Sequence, residues 1–106
     1  MRTFPRCLAT FREMVKERGE RLRRLTLDDL KQLEGAPVER LTVESRPAVI
    51  GIIVQPKAND SLRAVVQGFM NARVVPFVKH VALDGFYKHQ GETVTPMPDP
   101  EFAEFD

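Results

Sequence analysis

The chain has a single cysteine, Cys7, and this scarcity excludes two kinds of structural support. One thiol cannot form an internal disulfide, and it cannot supply a zinc site built mainly from thiolates. Cys7 lies within an apolar helical pattern, where a free cysteine usually packs as a small hydrophobic side chain. A reactive thiolate needs a polar, accessible setting, so we predict a buried cysteine with no catalytic role.

Long apolar runs are also missing. The longest, from Ala48 to Val54, has seven residues when Gly51 is counted, whereas a membrane-spanning helix needs about 20. Near the N-terminus, Phe11 is followed at once by Arg12 and Glu13, which leaves no apolar core of the roughly 7–15 residues found in a signal peptide. We therefore expect a cytoplasmic protein with no membrane partner.

Motifs that specify chemistry are absent as well. The sequence contains no glycine-rich phosphate loop, no dinucleotide fingerprint, no His-Glu-x-x-His and no Cys-x-x-Cys, the short patterns that tie residue spacing to a reaction. The sequence therefore indicates no catalytic residue, no metal site and no cofactor. A small non-enzymatic binding or protein-interaction domain is the leading interpretation, and the small-molecule ligand, if there is one, is not identified.

The composition is that of a globular protein with unevenly distributed charge. The 106 residues are 42% hydrophobic and 29% charged, which is typical of one domain over residues 1–106. Residues 1–25 carry a formal net charge of +5, and residues 99–106 carry a formal net charge of −4. Opposite ends of opposite sign favour attraction within a chain or between two chains, and we expect a homodimer because two-fold dimers are the commonest oligomers.

Two helices are predicted in the first 35 residues. Apolar residues recur at the three- and four-residue spacing of one helical face across residues 4–25, with Gly19 as a possible kink because glycine costs about 1 kcal/mol against alanine there. Thr26 is a suitable N-cap for a second, shorter helix, and Asp28 and Asp29 suit its first turn. Gly35 and Pro37 end this helical segment.

The next segment, residues 38–97, predicts an antiparallel meander of four or five strands. The strands are expected at 38–45, 48–55, 62–70, 77–89 and 92–97, with turns at 45–47, 56–60 and 90–91 and a connection at 71–76. Short connections make neighbours in sequence neighbours in the sheet. The fold class is α+β, with the helices packed on a curved sheet; the alternative is a small β-barrel with N-terminal helices.

Two glycines interrupt the alternation of the third and fourth strands. A β-bulge at Gly68 and at Gly85 would return Phe69 and Phe86 to the core face. The alternative is that both glycines relieve crowding beneath the helix. The last residues, 98–106, form an acidic tail with two phenylalanines, which we expect to dock on this domain or on a second copy.

Polar side chains on the third and fourth strands form a candidate ligand-binding surface, which supports the alternative of a small enzyme or ligand-binder. A bulge at Gly85 would bring His80, Asp84, Tyr87 and His89 to one face; without it, His80 and Asp84 share one face, and Tyr87 and His89 the other. Either arrangement is also expected of ordinary polar residues on a solvated face. The candidate residues are Arg63, Gln67, His80, Asp84, Tyr87 and His89.

The first helix carries a dense group of arginines: Arg18, Arg21, Arg23 and Arg24. Such a group can contact phosphates, which keeps nucleic acid as a further alternative partner. Three glutamates interrupt the positive region, and no helix-turn-helix or RNA-recognition pattern accompanies it. A solvated helix face is the preferred interpretation.

Overall fold

The computed structural model describes residues 3–44, 46–71 and 79–105, and the side chains of these residues except at 3–5, 71, 79 and 80. It contains one long helix, two short helices and five strands. They are α1 (Thr3–Arg23), α2 (Leu27–Lys31), β1 (Glu39–Val43), β2 (Arg46–Pro56), β3 (Leu62–Asn71), β4 (Lys79–Lys88), β5 (Val94–Pro96) and α3 (Asp99–Phe102), with 3₁₀ turns at Ala58–Asp60 and Ala103–Phe105.

The first helix forms where the apolar spacing predicts it, and it passes through Gly19 without a break. The glycine is required by packing: a Cβ at this position would lie 1.7 Å from Oδ2 of Asp84 on the sheet. A glycine therefore lets the helix approach the sheet closely. Among the described side chains of α1, the buried apolar residues are Cys7, Phe11, Val15 and Leu22.

The buried position of Cys7 agrees with its interpretation as a core residue. Its side chain is 1% exposed, and its Sγ donates to the carbonyl oxygen of Val43 at 3.1 Å. Burial raises the pKa of this thiol, which disfavours the thiolate.

The second helix begins at the predicted cap but is only five residues long. Thr26 has extended backbone angles, and its Oγ1 accepts from the Asp29 N–H at 3.1 Å. Leu30 is its one buried residue, and Gly35 follows with a φ of +76° that favours glycine. The helical cover of the sheet therefore comes almost entirely from α1.

The sheet is the predicted meander, with antiparallel strands in the order β1-β2-β3-β4-β5. It is open, so the barrel alternative is wrong: β1 and β5 lie at opposite edges, and β5 has only three residues with which to close a ring. β2 begins at Arg46, earlier than predicted, and β5 ends on Pro96. Ser45 of the predicted 45–47 turn, most of the 71–76 connection and residues 77–78 lie outside the described residues.

The predicted bulges are wrong. The β2–β3 and β3–β4 registers continue without interruption through Gly68 and Gly85. A Cβ on Gly68 would lie 2.7 Å from Phe11, whereas a Cβ on Gly85 would lie 2.8 Å from Met97. Each glycine therefore makes room for a packing side chain, and the two do so on opposite faces of the sheet.

Strict alternation divides the sheet into two faces. The helix face carries the even-numbered residues of β2, β3 and β4 and packs under α1; the tail face carries the odd-numbered residues and lies under the C-terminal segment. Phe86 is completely buried on the helix face without a bulge, whereas Phe69 belongs to the tail face. The helix-face core of the three strands includes Ala48, Ile50, Val54, Leu62, Ala64, Val66, Met70, Ala82 and Phe86.

Within the described ranges, no helix is both long and apolar enough to span a membrane.

Candidate functional site

The six predicted ligand-binding residues are divided between the two faces. Arg63, Gln67 and Tyr87 belong to the tail face, and His89 follows β4 on the same side, stacked on Tyr87 with ring centroids 6.2 Å apart. Asp84 and the register position of His80 belong to the helix face; the side chain of His80 lies outside the described residues. Because the ladder has no bulge at Gly85, the six residues do not form one surface.

Arg63 is the centre of a polar cluster on the tail face. Its side chain is only 5% exposed, and its Nε and Nη2 donate to Oε1 of Gln55 at 3.1 and 2.6 Å. Two carboxylates from the C-terminal tail complete the cluster, with Nη1 at 2.8 Å from Glu101 and Nη2 at 3.3 Å from Glu104. The Phe105 ring lies 5.0 Å from the guanidinium carbon, within cation–π range.

The tail is held by further contacts on both sides of Arg63. Tyr87 donates its hydroxyl hydrogen to Glu101, and Gln67 donates to the carbonyl oxygen of Phe105. Met97 is 3% exposed and occupies the space left by Gly85. Three of the predicted ligand-binding residues therefore hold a segment of the same chain.

The electrostatics of this cluster favour the ionised carboxylate. Burial alone would lower the pKa of Arg63, but hydrogen bonds with Glu101, Glu104 and Tyr87 outweigh it and the pKa is raised. The Tyr87 hydroxyl, followed by Arg63, lowers the pKa of Glu101. The same hydrogen bond to Glu101, together with burial, raises the pKa of Tyr87. These shifts favour a neutral Tyr87 phenol and an ionised Glu101 beside the Arg63 cation.

Beside this cluster, a surface cavity of about 460 Å³ contains a serine–histidine contact. Oγ of Ser61 lies 2.8 Å from Nδ1 of His89, and Nε2 of the same ring lies 2.7 Å from Oγ1 of Thr95. In a hydrolytic triad a carboxylate stands behind the histidine and stabilises the imidazolium; here an uncharged hydroxyl stands there. The contact joins the β4–β5 hairpin to the start of β3. It lacks the negative charge that the carboxylate of a triad places behind the histidine.

Asp84 on the helix face is already paired. Nη1 and Nη2 of Arg23 lie 2.6 and 3.0 Å from its two carboxylate oxygens, and the guanidinium carbon lies 4.8 Å from the centre of the Phe86 ring. The hydrogen bonds to Asp84 raise the pKa of Arg23 despite its burial. This ion pair joins α1 to β4 and occupies the carboxylate of one of the predicted ligand-binding residues.

The arginines of α1 are largely engaged with carboxylates. Arg18 makes two hydrogen bonds to Glu39, at 2.9 and 2.7 Å, and Arg21 pairs with Glu17 one helical turn away. Arg23 pairs with Asp84, while Arg24, which follows the helix, is exposed. Three of the four residues proposed for phosphate contact therefore already have an anionic partner.

The outer side of β4 is a free sheet edge in the described part of the chain. β5 pairs with β4 only at residues 86–88, so residues 79–85 of β4 have no neighbouring strand on that side among the described residues. We call residues 79–85 the β4 edge. The His89 N–H donates to the Thr93 carbonyl oxygen on the β5 side. Since backbone groups alternate along a strand, the N–H and C=O groups of Val81 and Leu83 point to the open side.

A groove of about 400 Å³ runs beside the β4 edge. α1 contributes three charged side chains to the groove, and β4 contributes an apolar run, residues 81–83, followed by the acidic Asp84. Val81 and Leu83 are half-buried on the tail face, while Ala82 is buried on the helix face. The lining residues are Arg12, Glu13, Lys16 and residues 81–84.

No protein-family model, curated protein or solved structure matches this chain. Among the described residues, no group of three or more His, Cys, Asp or Glu side chains is placed to hold a metal ion.

Sequence reasoning found part of the tail-face cluster and missed the rest. Gln55, Ser61 and Thr95 had no distinguishing pattern, and Glu101 and Glu104 were recognised only as acidic tail residues. The signal that pointed to them was the combination of negative charge with two phenylalanines. The tail does dock on its own chain, where the carboxylates of Glu101 and Glu104 pair with Arg63 in β3.

Proposed function

We propose that this protein is an interaction domain that self-associates by strand addition, with the β4 edges of two copies pairing in antiparallel fashion. The observation that carries the proposal is the free β4 edge, residues 79–85, in the described structure. Unpaired backbone donors and acceptors at a sheet edge are a template for another strand. The product would be one sheet of ten strands, five from each copy.

The backbone pattern supports a two-fold register centred on Ala82. Such a register places Val81 opposite Leu83 of the second copy, and residue 79 opposite residue 85. These are all odd-numbered positions, whose N–H and C=O groups point to the open side of β4. Antiparallel pairing needs outward-pointing groups opposite one another, so this register uses the whole free edge.

The side chains support pairing with a like strand. Val81, Ala82 and Leu83 form an apolar run, whereas exposed edges of monomeric proteins are commonly protected by prolines, charged residues or bulges. The acidic residue that follows, Asp84, is held by Arg23. In the two-fold register Val81 packs beside Leu83 of the second copy, which removes apolar surface from water.

The groove beside the edge has a self-complementary charge distribution. Arg12 and Lys16 are positive and Glu13 between them is negative. A two-fold axis at Ala82 brings the two α1 helices alongside each other in opposite directions, so Glu13 of one copy faces the basic residues of the other. Charges so arranged fix the register and orientation of a pair more than they strengthen it.

Sedimentation velocity over about a hundredfold range of protein concentration tests the proposal, because dimerisation follows mass action. We expect a dimer for the natural chain and a monomer for Leu83→Pro, which removes an outward N–H and leaves the bonds to β3 intact. Val81→Lys, which sets like charges near the two-fold axis, should also give a monomer. Circular dichroism verifies that each variant is folded.

The matched control is Thr42→Pro, because Thr42 stands in β1 at the other edge of the sheet, opposite Pro47. This variant should remain dimeric. A natural chain that stays monomeric throughout the range overturns the proposal. So does a dimer that survives both β4 substitutions, or one that is lost only with Thr42→Pro.

A further inference from the structure

The acidic tail and the surface beneath it have the properties of a ligand and its binding site. Arg63 is 5% exposed and receives a carboxylate from each of two tail residues, Glu101 and Glu104. The Phe105 ring covers the guanidinium, and Gln67 donates to the carbonyl oxygen of Phe105. Arg63 thus contacts both the charge and the aromatic ring of the tail, and Gln67 contacts its backbone.

The two partners differ in how deeply they are embedded. Arg63 is buried in β3, whereas α3 and the 3₁₀ turn that follows it contain no buried residue, and the Glu104 side chain is 55% exposed. A segment held from one side, with little apolar area removed from water, opens at a low free energy. The tail is therefore the displaceable partner, and the sheet surface is the permanent one.

Displacement of the tail has a consequence for Arg63. The guanidinium keeps its two hydrogen bonds to Gln55 and loses both carboxylates. Without the tail, water reaches this guanidinium, and a cation that has lost its counter-charges attracts anionic groups. The tail is thus expected to leave when another anionic group takes its place, which makes the surface selective for acidic ligands.

We propose that the tail-face surface formed by Gln55, Arg63, Gln67 and Tyr87 is a recognition site for an acidic, phenylalanine-bearing segment of a partner protein, for which the chain's own tail is the resident competitor. The tail defines the ligand: two glutamates three residues apart on one helical turn, followed directly by an aromatic residue. This site lies on the opposite face from the groove of the β4 edge, and it functions in a monomer as well as in a dimer.

Fluorescence anisotropy tests this proposal with the full chain and a labelled peptide of the chain's own residues 98–106. In the natural chain the attached tail competes at an effective concentration on the order of millimolar, so the peptide should bind weakly. In the double variant Glu101→Gln and Glu104→Gln the attached tail loses both charges, and the peptide should bind about tenfold tighter or better. Phe105→Ala in the full chain weakens the tail independently and should act in the same direction.

The peptide supplies controls that do not depend on the stability of a protein variant. A peptide with glutamine at both glutamate positions should not bind, and binding of the acidic peptide should weaken as salt is added, because the pair is electrostatic. Equal binding of the acidic and amide peptides overturns the proposal. The same conclusion follows if the acidic peptide binds none of the proteins, or binds the natural chain as tightly as both variants.

Discussion

The two faces of the sheet are built from alternate residues of the same strands, yet they are covered in different ways. The helix face lies under a 21-residue helix and buries Phe11 and Phe86 completely. The tail face lies under a four-residue helix and a three-residue 3₁₀ turn, held largely by charged and polar groups around Arg63. The first cover depends mainly on apolar area removed from water, whereas the second depends largely on charged and polar contacts, with Met97 as its buried apolar residue.

This difference separates the cover that stabilises the protein, on the helix face, from the cover that can open, on the tail face. Apolar burial is insensitive to salt and to mild changes of pH, while ion pairs with exposed members are screened and contribute little to stability. A cover of the second kind can therefore open without unfolding the first. The largest expected effects of substitution lie on the helix face, and smaller ones on the tail face.

The sharpest test of the comparison truncates one phenylalanine in the cover of each face of the sheet. Phe11→Ala removes a fully buried ring and should lower the free energy of unfolding by about 3–5 kcal/mol. Phe105→Ala removes a half-buried ring over Arg63 and should lower it by less than about 1 kcal/mol. Urea denaturation followed by circular dichroism measures both. Equal losses would mean that the tail is part of the core.

The second test adds one methyl group to each face. A Cβ on Gly68 would meet Phe11 and Val15 at 2.7 and 2.8 Å, inside a packed core, so Gly68→Ala should destabilise by about 1–3 kcal/mol. A Cβ on Gly85 would meet the terminal atoms of Met97, a flexible side chain that can move aside. Gly85→Ala should therefore leave the urea midpoint almost unchanged. A reversed order would contradict the packing described for the two faces.

The smallest expected effect is a titration shift at the tail. Tyr87 is the only tyrosine and the chain has no tryptophan, so absorbance at 295 nm reports this one phenol. Its hydrogen bond to Glu101 raises its pKa and Arg63 lowers it. Glu101→Gln removes the negative charge and should shift the titration midpoint of Tyr87 downward. Glu104→Gln, which does not contact Tyr87, should shift it less; identical midpoints for Glu101→Gln and the natural chain would show that the tail does not dock.

Local patterns predicted the elements and their order well. The apolar spacing of α1, the Thr26 cap and the turn residues at 56–60 and 90–91 each act over a few residues, and the structure has these features near the predicted positions. The predicted 45–47 turn is shorter, because β2 already begins at Arg46. The bulges were predicted from an assumption that both Phe69 and Phe86 must reach the helix core. Phe86 reaches it by simple alternation, and Phe69 belongs to the other face.

The candidate site was harder to predict because its partners are distant in sequence. Glu101 is 38 residues from Arg63, and Asp84 is 61 residues from Arg23. Their meeting depends on strand register, and a shift of one residue would move every side chain to the other face. The sequence therefore identified Arg63, Gln67, Tyr87 and His89 as polar candidates but not the tail carboxylates that join Arg63 and Tyr87.

The sequence by itself determined the α+β class, the buried Cys7, the cap of α2 and the order of the strands, because periodicity, capping and turn chemistry are local. Only the tertiary structure decided which face each polar residue occupies, why Gly19, Gly68 and Gly85 are glycines, and where the acidic tail lies. Those features depend on the distance between elements and on continuous register across the sheet. Both are consequences of packing, which no short stretch of sequence contains.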